Sequence, residues 1–202
     1  MKVIEQLLAN AGISPIAGVD EAGRGACAGP LVIASVVLND PFAPELAVVR
    51  DSKEIAENKR DSVFDLIHQV ALSVSGVIVP AREVDARGVH AANLDGMRRA
   101  VQGLSVEPAY VLTDGYAIEG LGVPNLAVWK GDQVVVSISA ASVIAKVTRD
   151  RIMREIDLEF PQFGFAGHKG YITAAHTKAL NEHGPCAQHR RSFANVAALI
   201  HK

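Results

Sequence analysis

The sequence is poor in the residues that crosslink small secreted proteins or anchor proteins in membranes. Cysteine occurs only twice in 202 residues, as Cys27 and Cys186, and without metal-type spacing, so neither a disulfide framework nor a zinc site is expected. The longest apolar stretches, such as 30–38 and 70–80, are about ten residues long, whereas a membrane-spanning helix needs roughly 20. No signal-like segment opens the chain. We therefore expect a cytoplasmic protein with no membrane association.

Aromatic residues make up 5% of the chain, and the net charge is only -2. A net charge this small neither indicates nor excludes nucleic acid, because the clustering of the cations decides. From residue 129 onward, Lys and Arg outnumber Asp and Glu, whereas acids dominate before it. This distribution is compatible with phosphate contacts in the C-terminal third, and equally with an ordinary solvated surface.

The hydrophobic pattern predicts a sheet of five strands with helices around it. Short β-branched runs bounded by turn residues indicate strands, and apolar residues at helical spacing indicate helices. Strands are predicted at 16–22, 31–38, 70–79 and 109–113, and a fifth within 126–129 or 134–138. Helices are predicted at 58–69, 85–103, 139–160 and 173–182, the third opening on a Ser139 cap and stopped by Pro161. The class is α/β with a helical tail.

Two adjacent acids, Asp20 and Glu21, end the first predicted strand. Neighbouring side chains on a strand point to opposite faces, so both could reach one site only where the strand bends. Gly23 and Gly25 would permit such a bend and the close approach of a ligand to the backbone. A buried apolar strand does not ordinarily hold two carboxylates, so a functional site is indicated here.

Two further acids are expected at strand ends, Asp114 after the fourth strand and Asp132 near the fifth. Carboxylates that converge from several strands repel one another, and divalent cations relieve that repulsion. Oxygen ligands favour Mg²⁺ or Mn²⁺ over Zn²⁺, and a two-metal site suits in-line displacement at a phosphodiester. Taken singly, each aspartate is also an ordinary turn residue.

The segments around these acids resemble those of the type 2 ribonuclease H family, in the family's usual order, over about residues 16–196. The resemblance starts from Asp20-Glu21-Ala22-Gly23-Arg24-Gly25. The other matching segments are Asp51-Ser52-Lys53, Thr113-Asp114-Gly115, Lys130-Gly131-Asp132, residues 139–150, Gly170-Tyr171 with Thr173 and His176, and His189-Arg190-Arg191-Ser192-Phe193.

The resemblance implies a ribonuclease H-like fold, with a mixed five-stranded sheet flanked by helices. It implies one domain, 1–202, with a catalytic core at about 16–160 and a helical C-terminal part at about 161–202. The implied activity is metal-dependent cleavage of the RNA strand of RNA-DNA hybrids, and incision 5' of ribonucleotides embedded in duplex DNA. The products would carry a 5'-phosphate and a 3'-hydroxyl. The metal-binding catalytic carboxylates would be Asp20, Glu21, Asp114 and Asp132.

The resemblance also implies which residues recognise the substrate. The junction between a ribonucleotide and the following deoxyribonucleotide would be read through the 2'-hydroxyl, which distinguishes RNA from DNA, and through the neighbouring sugar. The residues with this implied role are Gly23, Arg24, Gly25 and Tyr171.

A helix face and a turn lysine are candidate phosphate contacts. Ser142, Lys146 and Arg149 are spaced to share one face of the predicted helix, and that face could hold phosphates. A lysine in a turn such as Lys53 is usually an ordinary solvent-facing residue. The family resemblance implies instead that Lys53 contacts phosphate. By contrast, the histidines at 168, 176, 183 and 189 lack metal-type spacing and are interpreted as structural or solvent-facing.

Two other functions stay open. Another two-metal nuclease, such as a Holliday-junction resolvase or an integrase-like enzyme, would use similar converging acids, and Arg24 and Tyr171 argue against it. A non-enzymatic nucleic-acid-binding module would keep its affinity after the acids are replaced. A monomer is expected. A sliding-clamp partner is compatible with the resemblance, although no clear clamp motif follows Phe193.

Overall fold

A computed structural model describes residues 3–200, so both ends of the predicted 1–202 domain, residues 1–2 and 201–202, lie outside the described residues. The strands are β1 (Ile16–Ala22), β2 (Leu31–Leu38), β3 (Ala71–Val79), β4 (Tyr110–Asp114) and β5 (Asn125–Val128). They form one sheet in the order β3-β2-β1-β4-β5. β1, β2 and β3 pair antiparallel, whereas β1 with β4 and β4 with β5 pair parallel. The predicted mixed five-stranded sheet is confirmed.

Helices cover both faces of the sheet. They are α1 (Val3–Asn10), α2 (Glu57–Val70), α3 (Ala81–Arg87), α4 (Val89–Gln102), α5 (Gly131–Val134), α6 (Val136–Glu159), α7 (Phe165–His168), α8 (Ala174–His183) and α9 (Ala194–Ile200), with 3-10 turns at Pro44–Val48 and Pro161–Phe163. No helix among the described residues is long and apolar enough to cross a membrane.

The long helix α6 packs on one face of the sheet and α4 on the other. Every residue of β2 is buried, because alternate side chains join the cluster shared with α6 and the cluster shared with α4. This explains why β2 is a continuous apolar run. At Gly18 a side chain would overlap the backbone of Ser137 and Ile138, so glycine lets α6 lie directly against β1. The start of α6 is thereby held close to the end of β1.

The boundaries of α6 correct two expectations. Residues 134–138 are not a strand, because Val134 ends α5 and α6 begins at Val136; the fifth strand is the alternative near 126–129. Ser139 is not the cap of α6. Its hydroxyl donates to the carbonyls of Asp132 (2.7 Å) and Val135 (2.9 Å), one turn inside the helix.

The cap of α6 comes from α1, a helix that the hydrophobic pattern did not predict. Glu5 is buried, and its carboxylate accepts from the backbone N–H groups of Val136 (2.9 Å) and Ser137 (3.0 Å). These donors have no partner inside the helix, and a negative charge is favourable at a helix N-terminus. The residue that caps α6 is therefore supplied from 131 positions earlier in the chain.

The predicted helix at 85–103 is two helices. Gly88 has φ +78° and separates α3 from α4, because the left-handed conformation that glycine adopts readily cannot continue a helix. The predicted helix at 173–182 is α8, capped by the hydroxyl of Thr173, which accepts from the N–H of His176. The short helices α7 and α9 were not predicted.

Candidate active site

The strand order brings the predicted acids together. β1 and β4 are parallel neighbours with Val19 opposite Thr113, so the next residues, Asp20 and Asp114, lie side by side at the same end of the sheet. Parallel strands end at a common edge, and that edge is where sites in open sheets form. Asp20 is buried and Asp114 is half-buried.

Asp132 also lies at this edge of the sheet, but in a short helix and not at the end of a strand as expected. It lies in α5, a one-turn helix that follows Lys130 in the left-handed conformation (φ 53°). The backbone N–H of Gly131 donates to Asp114 Oδ1 at 2.7 Å, which ties this turn to the end of β4. The three aspartates converge, since one ligand oxygen from each lies within 4.8 Å of the other two.

Glu21 lies on the other face of β1, as strand geometry requires. Among residues 3–200, the converging group therefore contains the three aspartates and not Glu21. The Glu21 side chain still lines the same cleft, where it interacts with Arg24 and with the Asn93 amide of α4. Its Oε2 atom is buried and has no hydrogen-bond partner among the described residues.

The acids are held in an environment that disfavours their charge. Burial, with Glu21 and Asp114 beside it, holds the pKa of Asp20 well above its ordinary value. Burial also raises the pKa of Glu21 to about 7; Arg24 opposes this rise and Asp114 adds to it. Burial, Asp51 and Asp114 raise the pKa of Asp132. A group of oxygen donors that repel one another fits a divalent cation, which would relieve that repulsion.

A single cleft of about 440 Å³ joins the acids to nearly all of the other predicted site residues. Arg149 is the exception. The residues lining the cleft are Asp20, Glu21, Ala22, Gly23, Arg24, Gly25, Ser52, Lys53, Asp114, Asp132, Ser142, Lys146 and Tyr171.

The loop after β1 presents backbone to the cleft. Gly23 has φ +89°, and a side chain there would overlap the guanidinium of Arg149. At Gly25 a side chain would meet no atom of residues 3–200 within 4 Å, so packing against this part of the chain does not explain that glycine. Between them, Arg24 places its guanidinium 4.5 Å from the centre of the Tyr116 ring. The loop therefore leaves open space beside Gly25 for a close-approaching ligand.

Lys53 and Lys146 add positive charge along the acids. Lys53 Nζ lies 3.6 Å from Asp132 Oδ2 and 3.9 Å from Asp51 Oδ1, and its side chain is 78% exposed. Partial burial lowers the pKa of Lys53, but Asp51, Asp132 and Asp20 outweigh it, so the net shift is upward. Lys146 Nζ donates to Asp150 at 2.7 Å, and burial lowers its pKa. Each ammonium is near the cleft and paired with a carboxylate.

Arg149 does not line the cleft with Ser142 and Lys146, so the expectation that the three side chains share one phosphate-facing helix surface is wrong. Its side chain is fully buried, and Nε, Nη1 and Nη2 donate to three backbone carbonyls at 2.8–3.1 Å. Backbone from two loops lies over this side chain, so a position expected to face solvent is covered. The acceptors are the carbonyls of Pro30, Lys169 and Ala28.

Three residues of the site were missed in the sequence. Ser52 lies in one of the segments that resemble the family, and its hydroxyl lies 3.0 Å from that of Ser142, which in turn bonds Asp20. Arg60 holds the Ser52 carbonyl at 2.8 Å. Asn93 is fully buried beside Glu21 within an apolar helix stripe. An isolated amide among apolar residues was the available signal for Asn93.

The sheet order and the acids at adjacent strand ends define a nuclease of the ribonuclease H-like class. A family model described as Ribonuclease HII matches residues 17–196. Two curated proteins named Ribonuclease HII are similar over nearly the whole chain. The protein from Acidothermus cellulolyticus is 57% identical over 95% of this chain, and that from Mycolicibacterium smegmatis is 54% identical over 97%. This chain spans 62% and 72% of the length of those relatives.

Solved structures agree on the fold. Ribonuclease H2 from Pyrococcus horikoshii OT3 is 26% identical with a TM-score of 0.78, covering 91% of this chain and 96% of that one. The ribonuclease HII in the PCNA complex from Archaeoglobus fulgidus is 24% identical with the same TM-score, covering 89% and 95%. Bst ribonuclease HIII solved with Mn²⁺ is 17% identical with a TM-score of 0.67, covering 96% and 72%.

The chain belongs to the ribonuclease HII family. The predicted family, the predicted ribonuclease H-like fold and the prediction of a ribonuclease H enzyme are confirmed.

Proposed function

We propose that the chain is a metal-dependent endonuclease that cleaves the RNA strand of RNA-DNA hybrids and incises 5' of ribonucleotides embedded in duplex DNA. The observation that carries this proposal is the convergence of Asp20, Asp114 and Asp132 in one cleft with the Gly23–Gly25 loop and Tyr171. The acids supply a site for reaction at a phosphodiester, and the loop and ring supply a site for a sugar.

The proposed metal ligands are the four acids Asp20, Glu21, Asp114 and Asp132, and the proposed ions are Mg²⁺ or Mn²⁺. The donors are all carboxylate oxygens, which these hard cations prefer. The unpaired Glu21 Oε2 atom is available to such an ion. The Mn²⁺ bound in the Bst ribonuclease HIII structure supports this choice. Bound divalent ions would neutralise the acids and stabilise negative charge on the phosphate that reacts.

The rest of the cleft positions the substrate. The Gly23–Gly25 backbone approaches the 2'-hydroxyl, since no side chain at Gly25 keeps a sugar away, and Arg24 binds beside it. Tyr171 is 41% exposed, and its ring packs against the neighbouring sugar. Water attacks the phosphorus, the bond from phosphorus to the 3'-oxygen breaks, and the products carry a 5'-phosphate and a 3'-hydroxyl.

Lys53, Lys146 and Ser142 are proposed phosphate contacts. Both lysines line the cleft, and phosphate contacts position a nucleic acid without reading its sequence. Their carboxylate partners, Asp132 for Lys53 and Asp150 for Lys146, hold the ammonium groups at the rim before substrate binds. Affinity for the duplex is therefore expected to fall as salt is added.

The testing experiment is cleavage of labelled duplex DNA that carries one ribonucleotide, with Mg²⁺ or Mn²⁺, by the unaltered chain and by Asp20→Asn. We expect incision on the 5' side of the ribonucleotide, lost in the variant, while the variant still binds the duplex. Cleavage only of branched or all-DNA substrates would favour a resolvase-like nuclease. Binding without cleavage by the unaltered chain would favour a non-enzymatic binding module.

A sliding clamp is a candidate partner on the strength of one relative alone, the Archaeoglobus fulgidus ribonuclease HII solved with PCNA. Co-elution of this chain with a bacterial clamp in size-exclusion chromatography would test it. The same measurement on the chain alone would test the prediction of a monomer.

A further inference from the structure

Two histidines form a buried pair beneath the loop that carries Tyr171. His176 in α8 is 1% exposed and His189 is 2% exposed, and their Nε2 atoms lie 3.1 Å apart. The rings of Phe163 and Phe165 pack against them, with centroids 4.8 Å and 5.5 Å away. The pair does not line the cleft, so it acts on substrate only through other residues.

Their hydrogen bonds fix both tautomers. A carbonyl only accepts, so the 2.9 Å contact of His176 Nδ1 with the Tyr171 carbonyl places the proton on Nδ1 of His176. An amide N–H only donates, so the 3.0 Å contact from Cys186 leaves Nδ1 of His189 as an acceptor and Nε2 as its N–H. His189 Nε2–H then donates to the free Nε2 of His176. The three bonds agree in direction only when both rings are neutral.

A third imidazole holds the same loop from the other side. His168 stacks on His176 with ring centroids 4.3 Å apart. Its Nδ1 accepts from the N–H of Gly170 at 3.2 Å, and its Nε2 contacts the Phe163 carbonyl at 2.8 Å. The N–H of Gly170 is therefore hydrogen-bonded to the His168 ring, and the carbonyl of Tyr171 to the His176 ring.

The arrangement is a chain of hydrogen bonds and not a metal site. Cys27 Sγ lies 3.8 Å from His176 Nδ1, and Cys186 Sγ lies 3.2 Å from His189 Nδ1. The two sulfur atoms are therefore at opposite ends of the row of hydrogen bonds that runs through the histidine pair. Ligands of a metal ion must converge on one point. Throughout residues 3–200, the only group of three or more acids, histidines or cysteines that converges in this way is the three aspartates.

We propose that His176, with its tautomer set by His189, is a positioning residue that orients Tyr171 in the cleft. The inference rests on the proposed function, in which the Tyr171 ring contacts the sugar beside the cleaved bond. Tyr171 is 41% exposed, so packing alone does not fix its side chain. Its backbone is held by His176 and His168, and the Arg149 guanidinium lies 5.5 Å from its ring centre.

Burial supports the neutral state that the geometry requires. Burial lowers the pKa of both rings, and for His189, next to His176, it lowers the pKa to about 4. A second proton on His189 would place its Nδ1–H against the N–H of Cys186. A second proton on His176 would place its Nε2–H against the Nε2–H of His189.

The first test is the tautomeric state, measured without metal or substrate. Long-range ¹H-¹⁵N spectra of the histidine rings distinguish the two neutral tautomers and the cation. At about pH 6.5 we expect His176 as the Nδ1–H form and His189 as the Nε2–H form. The opposite tautomers, or a charged ring at that pH, would overturn the inference.

The second test separates positioning from a general structural role. We expect His176→Leu to lower the incision rate at a single ribonucleotide by about 10-fold, which corresponds to one lost buried hydrogen bond. His176→Asn, whose amide can still donate to the Tyr171 carbonyl, should retain most of the rate. In a Tyr171→Ala background, His176→Leu should have almost no further effect, because the ring it orients is gone.

Three readouts keep the outcomes distinct. His183→Leu, an exposed histidine of α8, is the matched control and should leave the rate unchanged. Mn²⁺ affinity measured by calorimetry should be the same in every variant, since the acids are untouched. Equal losses in the native and Tyr171→Ala backgrounds would overturn the inference. Failure of the proposed function appears differently, as no incision by the unaltered chain.

Discussion

Two buried polar groups flank the cleft, and they differ in how far the chain itself satisfies them. In the acid cluster, Asp20 is disfavoured as an anion by burial and by its neighbours, and Glu21 Oε2 has no hydrogen-bond partner within residues 3–200. Beneath Tyr171, the three guanidinium nitrogens of Arg149 and the ring nitrogens of His176 and His189 all have partners.

This difference distinguishes a ligand-binding site from the buried groups that hold its loops in place. A buried polar group without a partner is costly, so it persists where a ligand completes it. A fully bonded group rigidifies the backbone around it and needs nothing from outside. The acids are thus suited to bind, and the Arg149 and histidine groups to hold the loops that face the acids. The experiments below test whether the acids act as a binding site and whether the buried groups beneath Tyr171 stabilise the loops.

The largest effect is expected from Asp20→Asn. Cleavage should fall by at least about 1,000-fold, because metal ions contribute several kcal/mol of transition-state stabilisation. Without metal, the variant should be more stable by about 1 kcal/mol, since a buried and repelled charge has been removed. Thermal unfolding in EDTA should show a rise of about 2–4 °C. A fall instead would mean that the acids are already satisfied within the chain.

Arg149→Met should act in the opposite way. It leaves three buried carbonyls without donors, so we expect a loss of about 3–5 kcal/mol in the free energy of unfolding, measured by urea denaturation. The matched control is Arg151→Met in the same helix. Arg151 is 45% exposed and pairs with Asp61 at the surface, so its loss should cost less than about 1 kcal/mol. Similar losses in both variants would show that Arg149 is not a support.

Acid should weaken the histidine pair. The pKa of His189 is about 4 in the folded chain, whereas an unfolded histidine titrates near about 6.5. The folded state therefore binds fewer protons between these values, and stability is complete above about pH 6.5 and lost as the pH falls towards 4. The loss should reach about 3 kcal/mol.

His189→Gln isolates this contribution, because glutamine does not titrate and the acids are common to both proteins. The difference between the two free energies of unfolding, measured at several pH values, should shrink as the pH falls. A difference that stays constant would mean that His189 is not buried as a neutral ring.

The smallest effect is expected at the rim. Lys53→Ala should weaken duplex binding several-fold and reduce the slope of log affinity against log salt by roughly 0.9, the value for one phosphate contact. Lys178→Ala is the control, since Lys178 is 76% exposed and does not line the cleft. Equal salt slopes for Lys53→Ala and the unaltered chain would remove Lys53 from the proposed phosphate contacts.

Local pattern was sufficient for much of the sheet. The apolar runs at 16–22 and 31–38 match β1 and β2, because alternation, β-branching and glycine turns are properties of neighbouring residues. Prediction from local pattern failed where a residue far away in the sequence determines the cap of a helix or the burial of a side chain. Ser139 was a plausible cap, but Glu5 supplies the cap from α1. Arg149 had the spacing of a surface residue, but loops from elsewhere in the chain cover it.

The acids of the cluster and the glycines of the loop could be recognised in the sequence, because two carboxylates are unusual in a buried apolar strand and glycines permit a bend and the close approach of a ligand. The convergence of three aspartates, with Glu21 in the same cleft but outside that group, depends on the pairing of β1 with β4 and on the turn at Lys130, which the folded chain alone reveals. The tertiary structure also decided that Arg149 and the histidines act as supports. Burial and bonding partners are set by segments far apart in the chain, and no local pattern carries that information.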